Sequence, residues 1–563
     1  MRLLFKITIL LAILLGISSA EEKKNRFHVL CYHNVTDTIT DPSTPSITTD
    51  QLISHFKWLK QNGYNVITVD DILAAKEGRK DLPEKSVLLT FDDGYTSFYT
   101  RIYPLLKEYG YHAVYALVGK WQETPLDNNF TYGTTPKPRS MLLRWKQVKE
   151  MADSGFVEIA SHGYDAHYGV VSNPQGNTRP FYNTLIYDPK SGKYEKEDEY
   201  IKRVEYDIKR SSDTIFKYIG KRPRILVWPY GAYNLTVVDL AKKYGMNITA
   251  SLDDGVNTPE DISVLKRFLV GNNVGIADVA WSLKEPQNEL ERSLFVDIDE
   301  IYSKDANETD RKLGLLIEKV RKYGATDIYV KGFHDSDGDG LADMVYFPNE
   351  LLPMRGDLLG RVLWQLKSRA GYVNVHAWMP LSNFEVDGKA LSITDKSDRK
   401  EIEDIFYSLA KHTFFHGLLF DLSGSGCDAR EVAEYVQRIN EKIKRFTMRH
   451  RTSLKLDGEV GLLAIEDGFD RKRERVDTIF LRVPKDISTV DALLGVPKVK
   501  SEKISFLFDV DRFDSHEAAF FMRKMKVAGI MNFGLENLKF LSAPPPSDEL
   551  LKAFSMKVDP YEE

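Results

Sequence analysis

The sequence predicts an α/β chain of two (β/α) barrels in tandem, and three observations predict it. Short apolar runs alternate with helical patterns along both halves, the mark of parallel strands joined by crossover helices. A polar stretch without periodicity, residues 272–291, interrupts the series. The residues best suited to chemistry stand where apolar runs stop, at the strand ends where barrel enzymes build their sites.

Taken in order, Arg2 and Lys6 precede an apolar run at residues 7–17, and Ser18-Ser-Ala20 follows it. That is the pattern of a signal peptide cleaved after Ala20, so residues 1–20 are assigned to it and the mature chain is expected to cross the inner membrane. The run is too short to span a bilayer comfortably. No Cys lies near the cleavage point, so no lipid-attachment site is expected. The first barrel is assigned to residues 21–275, with strands at 27–33, 65–69, 87–91, 113–118, 157–161, 224–228 and 247–252. A linker at 276–292 leads to the second barrel, residues 293–563. Its eight strands are placed at 294–299, 327–333, 373–378, 417–422, 461–465, 478–483, 504–510 and 529–533, with helices at 310–323, 358–369 and 430–445 between some of them. This series reads as a glycosidase-like (β/α)8 barrel.

Composition excludes several classes. Of 563 residues, 42% are hydrophobic and 28% charged, an ordinary globular balance with enough apolar residues for two cores. A net charge of −5, without basic-aromatic stretches, argues against a nucleic-acid partner. The two cysteines, Cys31 and Cys427, exclude a disulfide framework, and Cys31 reads as a small apolar residue of the first strand.

Two segments carry the chemistry, Thr90-Phe-Asp-Asp-Gly94 and Ser161-His-Gly-Tyr-Asp-Ala-His167. Adjacent carboxylates on an extended segment point to opposite sides, so one of Asp92 and Asp93 binds a metal while the other faces the reacting water. His162 and His167 are five residues apart, which is not a helix-face spacing, so they must converge through a loop. Two imidazoles and one carboxylate leave a coordination position open, the pattern of a catalytic metal site. The metal would acidify water and polarise a carbonyl, and the second Asp would take the proton. Imidazole and carboxylate ligands suit Zn, Fe, Co or Ni.

These motifs resemble the first two motifs of the polysaccharide deacetylases of carbohydrate esterase family 4. The resemblance implies a distorted (β/α)7 barrel, Asp92 as general base, and Asp93, His162 and His167 as metal ligands. The segment Arg222-Pro-Arg-Ile-Leu-Val-Trp-Pro-Tyr-Gly231 is similar to the third motif, in which the backbone N–H of Tyr230 holds the oxyanion. Arg224 and Trp228 are then candidate substrate contacts. The family's late Leu-x-His has no counterpart at residues 265–270. His33, in Val29-Leu-Cys-Tyr-His33, takes its place as general acid, an arrangement circularly permuted relative to simpler members.

With the downstream segments, the resemblance narrows to the exported deacetylases of poly-β-1,6-N-acetyl-D-glucosamine, the biofilm exopolysaccharide. It covers the insertion after His167, Phe333-His-Asp-Ser-Asp-Gly-Asp-Gly-Leu-Ala-Asp343, Tyr346 to Met354 and Val375-His-Ala-Trp-Met-Pro380. It implies partial deacetylation of that polymer in the periplasm and an outer-membrane export porin as partner. The second barrel is expected to bind the glycan, with Tyr346 and Trp378 stacking on sugar faces, and Asp421 and Asp428 are candidates for cleaving it. Asp297 and Asp299 are further polar contacts at the first strand end. Asp335, Asp337, Asp339 and Asp343 resemble the first half of a calcium loop without the Glu of its twelfth position. Two rivals remain: a chitin or peptidoglycan deacetylase, disfavoured by the permuted His33 and the second barrel, and a non-catalytic glycan-binding export factor, disfavoured by the intact Asp92, Asp93, His162 and His167.

Overall fold

The computed structural model describes residues 25–39, 41, 43–272, 274–284, 290–371, 373–423, 429–456, 475–485, 504–544 and 546–555. The signal peptide, Cys427, Asp428 and the expected strand 461–465 lie outside the described residues. The chain forms two units. The first comprises residues 1–170, 179–183 and 196–287, and the second 171–178, 184–195 and 288–563. Two pieces of the insertion after His167 therefore group with the second unit.

In the first unit the main strands are β1 Phe27–Tyr32, β2 Asn65–Val66, β3 Ser86–Phe91, β4 Ala113–Leu117, β5 Val157–Ser161, β6 Ile225–Val227, β7 Ile248–Ala250 and β8 Phe268–Leu269. They lie in the order β7-β6-β5-β4-β3-β1-β8, with β2 beside β3. All these pairings are parallel. Every residue of β3 is buried, as expected of a parallel strand covered on both faces. Alternate residues feed two clusters. Val29, Leu88, Val114, Ala160, Val227 and Ala250 form one, and Leu30, Tyr32, Leu89, Phe91 and Tyr115 the other. The helix Thr49–Gln61 packs Leu52, Phe56 and Leu59 into the second cluster, and a reciprocal capping box at Thr48 and Gln51 fixes its start, worth about 1 kcal/mol.

The sheet has one more strand than the seven expected. Residues 265–270 bridge its two edges: Leu265 pairs with Ala250 on β7, while Phe268 and Leu269 pair with Leu30 and Cys31 on β1. Closure thus rests on a single bridge and a two-residue strand, which is where the barrel is distorted. So short a pairing has no periodicity to read, and it brings Arg267 beside β1 and β3.

The second unit is a closed parallel barrel of eight strands: β9 Arg292–Asp297, β10 Asp327–Lys331, β11 Asn374–Pro380, β12 Gly417–Asp421, β13 Arg451–Leu456, β14 Thr478–Arg482, β15 Ile504–Asp509 and β16 Phe533–Glu536, in that order. Its fifth position is filled by residues 451–456, not by the expected 461–465. This strand places Thr452, Ser453 and Lys455 in buried positions, so it lacks the apolar signature. The eighth strand begins at Phe533, where the expected one ended, and Asp299 sits in a turn beyond β9. Phe295, Tyr329, Leu419, Phe480 and Leu507 form an apolar cluster of the barrel.

Within this unit the Tyr194 hydroxyl donates to Asp357 at 2.5 Å. Burial outweighs that bond and pushes the Asp357 carboxyl up from 3.8 to about 6. A carboxyl whose folded pKa is raised holds its proton more tightly in the fold, so stability is greatest below the unfolded value and falls as pH rises through about 6. The difference is worth about 3 kcal/mol. Asp357→Asn is expected to match the wild type near pH 4 and to exceed it at pH 7 in urea unfolding. Parallel pH dependences for the two proteins would refute this.

Candidate active site

β1 and β3 run in register from Phe27 opposite Ser86 to Tyr32 opposite Phe91, so they end side by side. The Asp92 N–H continues the ladder by donating to the Tyr32 carbonyl at 3.0 Å, which sets His33 and Asp92 next to each other. Asp93 then turns with φ of 80° into Gly94 at φ 88°. The two carboxylates diverge because of this left-handed turn, not because an extended strand alternates. Glycine suits that left-handed φ, and a Cβ there would also displace the Gln122 amide, whose Nε2 would lie 2.2 Å away. On β5, the His162 N–H donates to the Leu117 carbonyl at 2.8 Å, so His162 leaves the sheet beside the end of β4.

Asp93 Oδ1 lies 3.5 Å from His162 Nε2 and 3.3 Å from His167 Nε2, and the three side chains are buried. Among the described residues, neither Asp93 oxygen has a hydrogen-bond partner. Ligand atoms 2.0–2.1 Å from a tetrahedral centre stand about 3.4 Å apart, so the set fits a divalent cation. His162 Nδ1 faces the Val227 carbonyl at 2.8 Å, which directs the Nδ1 proton there and leaves Nε2 as the nitrogen available to a cation beside Asp93. Burial opposes charge on His162, yet Asp93 and Asp92 prevail and raise its pKa. The ring of His167 is enclosed by Trp121, Tyr132 and Tyr230, with centroids 4.8, 5.2 and 4.6 Å away.

Asp92 faces other partners. Arg267 Nη1 donates to Asp92 Oδ1 at 3.0 Å and Oδ2 at 2.9 Å, and its Nε donates to the Ser251 carbonyl at 2.8 Å. The Cys31 thiol donates to Asp92 Oδ2 at 3.4 Å, so Cys31 does more than pack. Burial raises the Asp92 pKa, but Arg267, His162 and His33 outweigh it and leave the group below the usual carboxylate range. His33 Nε2 is 4.0 Å from Asp92 Oδ2, and burial lowers the His33 pKa, so the ring is neutral at rest.

Tyr230 adopts φ 59°, ψ 14° in the turn Pro229–Gly231, and its hydroxyl donates to the His167 carbonyl at 3.2 Å. Gly231 follows at φ 68°, where a Cβ would meet Leu252 N at 2.6 Å. Two expected substrate contacts do not stand here. Arg224 precedes β6, at the opposite end from the metal ligands, with its guanidinium on Glu158 and Asp70. Trp228 is fully buried edge-on to Tyr182, so no sugar can stack on it.

In the second unit, Asp421 Oδ2 at the end of β12 accepts from Trp378 Nε1 at 2.8 Å and from Lys455 at 3.1 Å. Lys455 also pairs with Glu536 at 2.9 Å and lies 4.6 Å over the Trp378 ring. Burial disfavours charge on Asp421 and Glu536, but their cations hold both below the usual range. Asp297 and Asp299 share Lys331, at 2.9 and 3.2 Å. Tyr346 is fully buried with its hydroxyl on Asp299, which removes it as a stacking surface, whereas Trp378 is half-buried. Asp335, Asp337 and Asp339 come within 4.8 Å of one another, while the fourth expected member, Asp343, turns to Ser336.

Sequence reasoning missed Arg267, Glu536 and Asp207. Asp207 had a legible signal, a carboxylate on the apolar face of a helix beside Val204, Ile208 and Ser211. No helix of the described residues is long and apolar enough to cross a membrane.

Residues 79–249 match the polysaccharide deacetylase family, and residues 295–398 match the family described as hypothetical glycosyl hydrolase family 13. The chain is similar to the poly-beta-1,6-N-acetyl-D-glucosamine N-deacetylase of Escherichia coli K12, with 35% identity over 419 residues, 70% of this chain and 62% of that protein. A protein of the same name from Staphylococcus epidermidis is 28% identical over 229 residues, 40% of this chain and 69% of its own. A solved de-N-acetylase from Aggregatibacter actinomycetemcomitans is 41% identical, covering 46% of this chain and all of its own, with a TM-score of 0.44. The chain thus spans 62% of the length of its E. coli relative.

Proposed function

We propose, from a chain that joins a polysaccharide deacetylase domain to a glycosyl-hydrolase-like domain, that it removes acetyl groups from poly-β-1,6-N-acetyl-D-glucosamine with the help of a divalent metal. One observation carries this: the two neighbouring aspartates have opposite surroundings, Asp93 facing two imidazoles with no hydrogen-bond donor to it among the described residues and Asp92 held ionised by Arg267. Asp93, His162 and His167 would hold the cation, which supplies Lewis acidity towards a carbonyl oxygen and acidifies water. Asp92 takes the proton of the attacking water. His33, neutral and 4.0 Å away, is placed to receive that proton and deliver it to the departing amine. The Tyr230 N–H, set by its left-handed turn, would hold the developing oxyanion. The products are acetate and a glucosamine unit that is cationic at neutral pH.

The β-1,6 polymer as substrate is supported by the names of the similar proteins, and a periplasmic setting by residues 1–20. In the second barrel, half-buried Trp378 beside Asp421 offers a place to hold the glycan. The test is acetate release by the purified chain from a β-1,6-N-acetylglucosamine oligomer, with and without chelator, beside a β-1,4 oligomer. Release from the β-1,6 oligomer that chelator abolishes and added metal restores is the expected result. Release from the β-1,4 oligomer alone overturns the substrate, and no release from either with metal present overturns the enzyme reading.

A further inference from the structure

His162 and His167 meet across a loop with no regular secondary structure, so something outside the loop must set its shape. Its carbonyls are held by one neighbour: the Gly119 and Lys120 N–H groups donate to the carbonyls of Gly163 and Tyr164 at 3.0 and 2.8 Å. Its amides are held by another. Asp207, 3% exposed on the helix Glu197–Ile219, accepts the Tyr164 N–H on Oδ1 at 2.9 Å and the Asp165 N–H on Oδ2 at 2.6 Å. The Tyr182 hydroxyl donates to the same Oδ1 at 2.5 Å and orients the carboxyl. Ser211, one turn further along the helix, accepts from Ser161 Oγ at 2.8 Å, and Ser161 Oγ in turn accepts the Gly163 N–H at 3.1 Å. Gly163 leaves room for this arrangement, since a Cβ there would stand 2.7 Å from the Tyr182 hydroxyl.

We propose that Asp207 is a positioning residue of the metal centre: by binding two successive loop amides it templates the turn that makes two imidazoles five residues apart converge on Asp93. The inference rests on Asp93, His162 and His167 holding a divalent cation. Asp207 touches neither cation nor substrate, so its effect is on affinity and ligand geometry. Outer partners of metal ligands are worth about 10- to 100-fold in metal affinity.

The experiment titrates the full chain, as wild type, Asp207→Ala and Asp207→Asn, with Co²⁺ by visible absorption and with Zn²⁺ against a chromophoric chelator. Near-UV circular dichroism checks folding. Asparagine keeps the shape and burial but turns one NH2 towards a loop amide, so it tests the idea even if the alanine variant fails to fold. Expected are Zn²⁺ binding weakened about tenfold or more in folded Asp207→Asn, a changed Co²⁺ spectrum, and activity recovered by excess metal. Wild-type affinity within twofold and an unchanged spectrum in folded Asp207→Asn overturn the inference. A wild type that binds neither ion overturns the metal reading beneath it instead.

Discussion

Asp93→Ala is expected to lose bound metal and about 10³-fold or more of acetate release, the several kcal/mol of transition-state stabilisation that a Lewis acid contributes. Asp93 is wholly buried, and among the described residues neither of its oxygens receives a hydrogen bond. An uncompensated carboxylate there costs several kcal/mol, so the fold requires positive charge at this point. Without metal, a proton on His162 supplies it. Burial opposes that charge on His162, but contact with Asp93 and Asp92 raises its pKa above 6.5. Metal and proton therefore compete, and affinity falls as pH drops through the raised pKa of His162. A ligand that binds only the native state raises the melting temperature with concentration. Divalent metal is thus expected to raise the melting temperature of the wild type, more at pH 8 than at pH 6, and to leave that of Asp93→Ala unchanged. Metal-dependent stabilisation surviving in Asp93→Ala would place the cation elsewhere.

The sequence made the site legible to the extent that its residues are local. Asp92 and Asp93 end one continuous apolar strand, His162 ends another, and parallel strands in register carry those ends to one rim. The reason for the divergence of the two carboxylates was illegible, because it depends on a positive φ at Asp93 that an Asp-Asp-Gly sequence permits but does not impose. Arg267 was hidden for another reason. Its segment joins β7 to β1 through one bridge and two paired residues, too little to create a pattern. In the second barrel, pattern reading failed at β13, where Lys455 balances Asp421 and Glu536 inside the barrel. A buried charge reads as a solvated one until its partners, 34 and 81 positions away in sequence, are known. Arg224 and Trp228 show the converse error: a motif fixed their neighbourhood along the chain, but strand direction and burial decide whether a side chain reaches the rim.

Asp92→Asn is expected to bind metal as the wild type does and to release acetate about 10²- to 10⁴-fold more slowly, the range for losing a positioned base. The two losses separate because Asp92 contacts Arg267 and Cys31, while Asp93 faces the imidazoles. The protonation of Asp92 is set by opposed effects, burial raising its pKa and the Arg267 guanidinium beside it lowering it with a net downward result. Arg267→Met keeps the bulk and removes the cation, so the carboxyl rises. A base with a raised pKa loses its ionised form at a higher pH, and the acid limb of kcat/KM must move up accordingly. The variant is also expected to be less stable at neutral pH, since it leaves a buried carboxylate without its cation, and to recover part of that loss as the pH falls and the group protonates. Asp92→Asn retaining more than about a tenth of wild-type activity would remove Asp92 as the base. An acid limb unmoved in folded Arg267→Met would show that the guanidinium only packs against the carboxylate and does not hold its charge.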